Sequence, residues 1–162
     1  MESLSRHERW MREALACAAL AESESEVPVG AVVVSGGAII GRGWNRPIAS
    51  HDPTHHAEIA AIRDAAAGTG NYRLTDATLY VTLEPCIMCA GAILNARLQH
   101  VVFGARDPDR GAAGSVVNVL DSPFTTHRCD STTGVLADEC GALLTEFFVR
   151  KRSSLHADGT RC

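Results

Sequence analysis

Lysine is nearly missing from this chain: of its 15 basic residues only Lys151 is a lysine, and the rest are arginines. Arginine's planar fork suits phosphate, but a GC-rich coding sequence explains the same imbalance and is the simpler reading. No segment approaches the roughly 20 uninterrupted apolar residues that cross a bilayer. The opening MESLSRHERWMREAL has neither the apolar stretch nor the small-residue cleavage site of a secretory signal. A soluble, cytoplasmic protein with no membrane partner is therefore expected. A disulfide framework is missing too, because Cys17, Cys86, Cys89, Cys129, Cys140 and Cys162 do not cluster and the chain is not a short secreted scaffold. Metal binding is the first question to ask of them. There is also no surplus of positive charge. Nineteen acidic residues against 15 basic ones leave a net charge of -4, which argues against holding nucleic acid by bulk electrostatics but leaves room for a local basic surface.

What is present suits one globular domain. A chain of 162 residues, 46% of them hydrophobic, can build a real core, since a domain of this size buries roughly 70% of its unfolded surface. The domain is placed at 1–152, with a polar tail at 153–162 expected to be disordered. Residues 7–23 read as a helix, with Trp10, Met11, Ala14, Leu15 and Ala18 on one face. A hairpin follows at 29–44, turning at Ser35-Gly36-Gly37, and then a loop at 45–55. A helix is expected over 56–67, stopping at Gly68, and a short buried strand at 78–82. Pro85 is expected as the first residue of the next helix, which runs to about Leu98 before a strand at 100–104. Residues 106–115, rich in Asp, Gly and Pro, read as a surface loop of the kind that carries binding residues. A last helix after Gly134 has Leu136, Cys140, Leu143, Leu144, Phe147 and Phe148 on its apolar stripe. The alternation indicates an α/β sandwich containing parallel strands. No internal repeat or low-complexity segment interrupts it.

The chemistry is concentrated in His56-Ala57-Glu58 and Pro85-Cys86-Ile87-Met88-Cys89. Cysteines three apart at a helix start point the same way, and the unpaired amides there favour thiolates. Together with a neutral His56 they form a Cys2His set, which leaves the fourth position of tetrahedral zinc open for water. Glu58 discriminates between uses of such a set. A carboxylate beside the metal that is not itself a ligand can move protons between water and substrate, and a purely structural site has no need of one. Structural zinc would instead require a fourth ligand, for which His51, His55 and Cys129 are the available donors. Cys17 and Cys140 fall on apolar helical stripes and read as core.

The pairing of H-x-E with P-C-x-x-C resembles the zinc-dependent nucleobase deaminases. The chain is similar to the bacterial tRNA-specific adenosine deaminases in particular, through PVGAVVV, GWNRPI, HDPTHHAEI, YVTLEPCIMCAGAI, VVFGARD, GAAGS and LADEC, which together span most of residues 7–152. The resemblance implies a cytidine deaminase-like three-layer α/β/α sandwich with a mixed central sheet. It also implies a homodimer with one zinc per subunit, acting on the wobble adenosine in the anticodon stem-loop of an arginine tRNA. In that mechanism Glu58 takes a proton from the metal-activated water, which attacks C6 of the base. Glu58 then returns protons to the ring nitrogen and the departing amine.

By the same resemblance Asn45 meets the base, Asp107 lies near the sugar, and Leu83 and Glu84 sit beside the pocket. Read without the family, Asn45 is a turn residue and Asp107 a loop cap before Pro108. Expected phosphate contacts are Arg106, Arg110, Arg128, Arg150, Lys151 and Arg152, with Phe147 or Phe148 against the anticodon loop. The terminal basic cluster also suits a solvated helix end, and the two Phe suit core. Two positions depart from the family pattern: His55 replaces a small residue, and Thr126-His127-Arg128 stands in place of Asn-His-Arg. A deaminase of free bases or nucleosides and a non-enzymatic zinc module that binds RNA are the competing readings.

Overall fold

The computed structural model describes residues 2–158. Helix α1 (Glu2–Ser23) leads into strands β1 (Gly30–Ser35) and β2 (Ala38–Trp44). A short helix α2 (Pro47–Ser50) and α3 (Ala57–Thr69) follow, then β3 (Thr78–Leu83), α4 (Ile87–Asn95), β4 (His100–Ala105), β5 (Asp130–Thr133) and α5 (Ala137–Asp158). The five strands form one sheet in the order β2-β1-β3-β4-β5. The pairings of β1 with β2 and with β3 are antiparallel, whereas β3–β4 and β4–β5 are parallel, so the sheet is mixed as expected.

Strand periodicity explains how this sheet is covered on both faces. Alternate side chains leave a strand on opposite sides, and here Ala31, Val33, Leu79, Val81, Val101 and Phe103 enter the core beneath α3 and α4. Val32, Val34, Tyr80 and Val102 enter the second core with Trp10, Met11 and Ala14 of α1 and Cys140 of α5. Continuous apolar strands are what burial on both faces demands. Glycine permits the closest approach. Any Cβ on Gly41 or Gly43 would strike the backbone of α3 at Ala57, Ala61 and Ala65, so an alanine ridge lies directly on β2. That contact fixes where α3 begins, and its first turn carries the site.

Several boundaries differ from the sequence reading. Helix α4 starts at Ile87, with Cys86 as its extended cap at φ -76° and ψ 176°. Pro85 stays outside because its carbonyl accepts the Ala112 amide at 2.8 Å. The helix ends at Asn95, since Arg97 turns left-handed at φ 61° before Leu98. Helix α3 passes Gly68 and ends at Thr69, whose hydroxyl bonds back to the Ala65 carbonyl at 2.9 Å. Strand β5 was not expected: Asp-Ser-Thr-Thr has no apolar alternation, because this edge strand buries little. The tail differs as well. Helix α5 continues through 153–158, where Ser153, Ser154 and His156 bond to carbonyls one turn back and sustain the helix without core contacts. Residues 159–162, with Cys162, lie outside the described part.

Candidate active site

The parallel strands β3 and β4 end on the same side of the sheet, and ligands of α/β folds bind outside such carboxyl ends. The chain leaving β3 supplies Leu83, Glu84, Pro85 and Cys86 there, and the chain leaving β4 supplies the 106–115 loop. The capped start of α3 arrives from the neighbouring layer with His56 and Glu58. A cavity of 630 Å³ lies among them, and His56, Glu58, Cys86, Asn45, Leu83, Glu84 and Asp107 all line it.

The metal set is compact. His56 Nδ1 lies 3.6 Å from Cys86 Sγ and 3.5 Å from Cys89 Sγ, separations that three ligands around one tetrahedral zinc would show. Among the described residues no other His, Cys, Asp or Glu completes the group. Cys129 is buried in the core beside Leu120 and its sulfur faces the Asp130 carbonyl, so it is no fourth donor. The fit is therefore to a metal with one position left open.

The electrostatics agree with that chemistry. The Cys86 thiol is driven down to about 3, chiefly by the hydrogen bond from the Cys89 thiol, which outweighs burial and is reinforced by His56. Cys89 is pushed up in return, because the two sulfurs share a proton that a divalent cation displaces. His56 is raised by its contact with Cys86. Burial pushes the Glu58 carboxyl up to about 7, and the residue is only 4% exposed. A carboxyl titrating near neutrality can both accept and return a proton, and the charge of a nearby cation offsets part of that rise. By contrast Cys129 and Cys140 are pushed up to about 12 by burial and remain inert thiols.

The other expected residues divide into two groups. Arg106, Arg110 and Phe148 line the cavity, whereas Arg128 stands away from it, 3.3 Å from Asp121. Arg150 pairs with Glu22 of α1, and Lys151 sits over the Phe147 ring at 5.3 Å. Phe147 is core, as its stripe suggested. Asp107 caps its loop as well as facing the cavity, since its Oδ1 accepts the amides of Asp109 and Arg110 at 3.0 and 3.1 Å.

Glu84 holds the surprise. It is 2% exposed, and its carboxylate accepts the amides of Asp107, Ala113 and Ser115 at 3.3, 3.1 and 3.1 Å, together with the Ser115 hydroxyl. Burial pushes its pKa up, but these bonds prevail and hold it below the ordinary carboxylate value. Its oxygens are thus committed to the loop.

Sequence reasoning missed Val27, Val29, Leu144 and Thr145 on the cavity wall. The apolar stripe of the last helix contained Leu144, but nothing local showed where that face pointed. It also missed Glu26, a buried carboxylate whose two oxygens lie 3.0 and 3.1 Å from the Ile48 amide, tying down the segment that carries Asn45.

Fold and site together define a zinc-dependent hydrolytic deaminase, and residues 4–105 match the cytidine and deoxycytidylate deaminase zinc-binding region. The tRNA-specific adenosine deaminase of Haemophilus influenzae is 51% identical over 146 residues, covering 90% of this chain and 84% of that protein. Its counterpart from Bacillus subtilis is 43% identical over 154 residues, covering 95% and 96% respectively. A solved structure from work on A-to-I editing by tRNA:A34 deaminases superposes with a TM-score of 0.82 at 44% identity, covering 84% of this chain and 99% of that one. The chain belongs to the family of tRNA-specific adenosine deaminases. A guanine deaminase from Nitrosomonas europaea shares the fold at a TM-score of 0.76 and 26% identity, over 86% of this chain and 83% of that one.

Proposed function

We propose that this protein converts adenosine to inosine at the wobble position of a tRNA anticodon, with arginine tRNA as substrate. It acts in the cytoplasm, as a homodimer that receives the anticodon stem-loop. The observation that carries the reading is a buried, non-ligand carboxyl, Glu58, beside a three-donor metal set at a cavity whose wall also holds Arg106 and Arg110. Exposed apolar side chains at Ile87, Val116, Val117 and Phe124 support pairing of two copies.

His56, Cys86 and Cys89 would hold a zinc ion, which would supply an activated water as the nucleophile. Glu58 takes a proton from that water and delivers it to the ring nitrogen as C6 is attacked, then carries the proton of the new C6 hydroxyl to the amine, which leaves as ammonia while the carbonyl forms. Asn45 and Leu83 hold the base, which has to be unstacked to enter such a cavity. Asp107 faces the sugar. Arg106 and Arg110 meet flanking phosphates, and Phe148 offers a ring for stacking. A free base carries no phosphate for those arginines, which favours tRNA over a free-base substrate.

Helical spacing extends the same surface. Leu144, Thr145 and Phe148 line the cavity, and Lys151 and Arg152 stand three and four residues beyond Phe148, on the same side of α5. Replacing Lys151 and Arg152 by alanine weakens tRNA binding and lowers the slope of log affinity against log salt by about 0.7 to 0.9 per lost phosphate contact. Filter binding across a salt series reads this, and an unchanged slope removes the helix end from the interface.

The deciding assay is inosine formation by zinc-loaded protein on an arginine tRNA with wobble adenosine, with free adenosine, cytidine and guanine in parallel. Turnover of the tRNA alone supports the reading. Turnover of a free base or nucleoside alone keeps the metal chemistry and replaces the substrate. Inactivity on all of them favours a zinc-bearing RNA-binding module.

A further inference from the structure

The cavity is enclosed on one side by the 106–115 loop, which contributes Arg106, Asp107 and Arg110 to its wall. Only Ala112 and Ala113 of that segment enter the core, so hydrophobic burial alone does not hold it. It is instead wrapped around one group. Glu84 Oε1 accepts from the Asp107 amide and the Ser115 hydroxyl, and Oε2 from the Ala113 and Ser115 amides. The loop closes on itself around that point, with the Gly111 amide on the Asp107 carbonyl and the Val116 amide on the Gly111 carbonyl, both at 3.0 Å. A Cβ on Gly111 would collide with the Glu84 carboxylate, so the backbone is seated directly against it. At its other end Glu84 is fixed to the scaffold, through its own amide on the Ala105 carbonyl at 2.9 Å.

We infer that Glu84 is a positioning residue for substrate recognition: its charge gathers the converging donors of the 106–115 loop and so sets the place of Asp107 and Arg110, without touching substrate. The inference rests on the proposed role of Asp107 at the target nucleotide. Negative charge is required because four donors converge, and hydrogen bonds to an ionised acceptor are the strong ones. A glutamine of the same volume would turn its own N–H groups toward donors. The position thus distinguishes charge from mere filling of space.

The test is Glu84→Gln in the zinc-loaded, full-length protein, read by amide hydrogen exchange and by kinetics on the tRNA substrate. Exchange accelerates at Asp107, Ala113 and Ser115 and stays unchanged in the β1 and β3 core, with zinc content retained. KM rises about tenfold or more, with a smaller change in kcat, since Glu58 and the metal ligands are not displaced. Asp107→Ala, which costs activity in the native background, adds at most about twofold to the E84Q variant, because residues that act as a unit are not additive. Native-like exchange and KM in E84Q overturn the inference, as does a full Asp107→Ala cost in that background. If Asp107→Ala is silent in the native protein, the reading of Asp107 fails, and faster loop exchange then shows an anchor that does not serve the substrate, which also overturns the inference. Ser115→Ala removes only the hydroxyl donor of a partly buried side chain, so it covers the case in which E84Q does not fold. It raises KM severalfold, again without full additivity with Asp107→Ala, and full additivity or an unchanged KM overturns the inference there.

Discussion

Replacing Glu58 by alanine stops turnover of the tRNA while the protein stays folded and keeps its zinc. The residue lies in the first turn of α3, is buried, and belongs to no ligand set among the described residues. Its proposed contribution is proton transfer, which is typically worth about 10²- to 10⁴-fold. Because the proposed mechanism has one carboxyl serve the water, the ring nitrogen and the leaving amine in turn, the expected loss falls at the upper end of that range or beyond. Inosine formation, metal analysis and circular dichroism on the same sample check the three parts of the statement. A variant that loses zinc along with activity would show Glu58 to be a ligand. Stability gives a second readout. Glu58 is raised from 4.5 to about 7 by burial, so in metal-free protein the unfolded chain releases this proton first. The native chain accordingly loses stability relative to Glu58→Ala as pH rises between those values, and denaturant titrations at several pH values read the difference.

Removing a metal ligand has an effect as large by a different route. Cys86→Ala leaves only His56 and Cys89 of the three donors, so zinc is lost and turnover falls to background. The fold survives. Both cores are built from the sheet and its covering helices, and most of their members lie far along the chain from the ligands. What disappears is the stabilisation that a tightly bound ion adds to the native state, about 4 kcal/mol at a thousandfold excess over its dissociation constant. Calorimetry therefore shows a lower Tm with cooperative unfolding retained. Chelation of the native protein reproduces the loss, and added zinc reverses it. Turnover that persists after verified metal removal would refute the mechanism.

The grouping of His56, Cys86 and Cys89, with Glu58 at the same cavity, could be read from the chain alone because its chemistry constrains residue type and spacing together. Two thiols three apart at a helix start, a histidine and a carboxyl two residues on admit few other uses, and no distant partner is needed to recognise them. The sandwich was legible for a similar reason: each central strand is apolar on both faces, which implies helices on both sides. The start of α4 was less so, since Pro85 is kept out of the helix by the Ala112 amide, a partner 27 positions away by residue number. The polar edge strand β5 was illegible in principle, because nothing in Asp-Ser-Thr-Thr reports that β4 has a free edge.

Side-chain direction was decided by the tertiary structure. Glu84 has the same local sequence whether its carboxylate faces a substrate or a loop, and only the arrival of residues 107–115 turns it to the loop. Arg128 and Arg150 look alike as cations, but Asp121 and Glu22 engage both, while Arg106 and Arg110 reach the cavity. The sequence by itself determined which reactive groups exist and which elements carry them, because these follow from composition and short-range periodicity. Which of those groups remain available to a substrate depends on contacts between segments distant in the chain, and those exist only once the chain has folded.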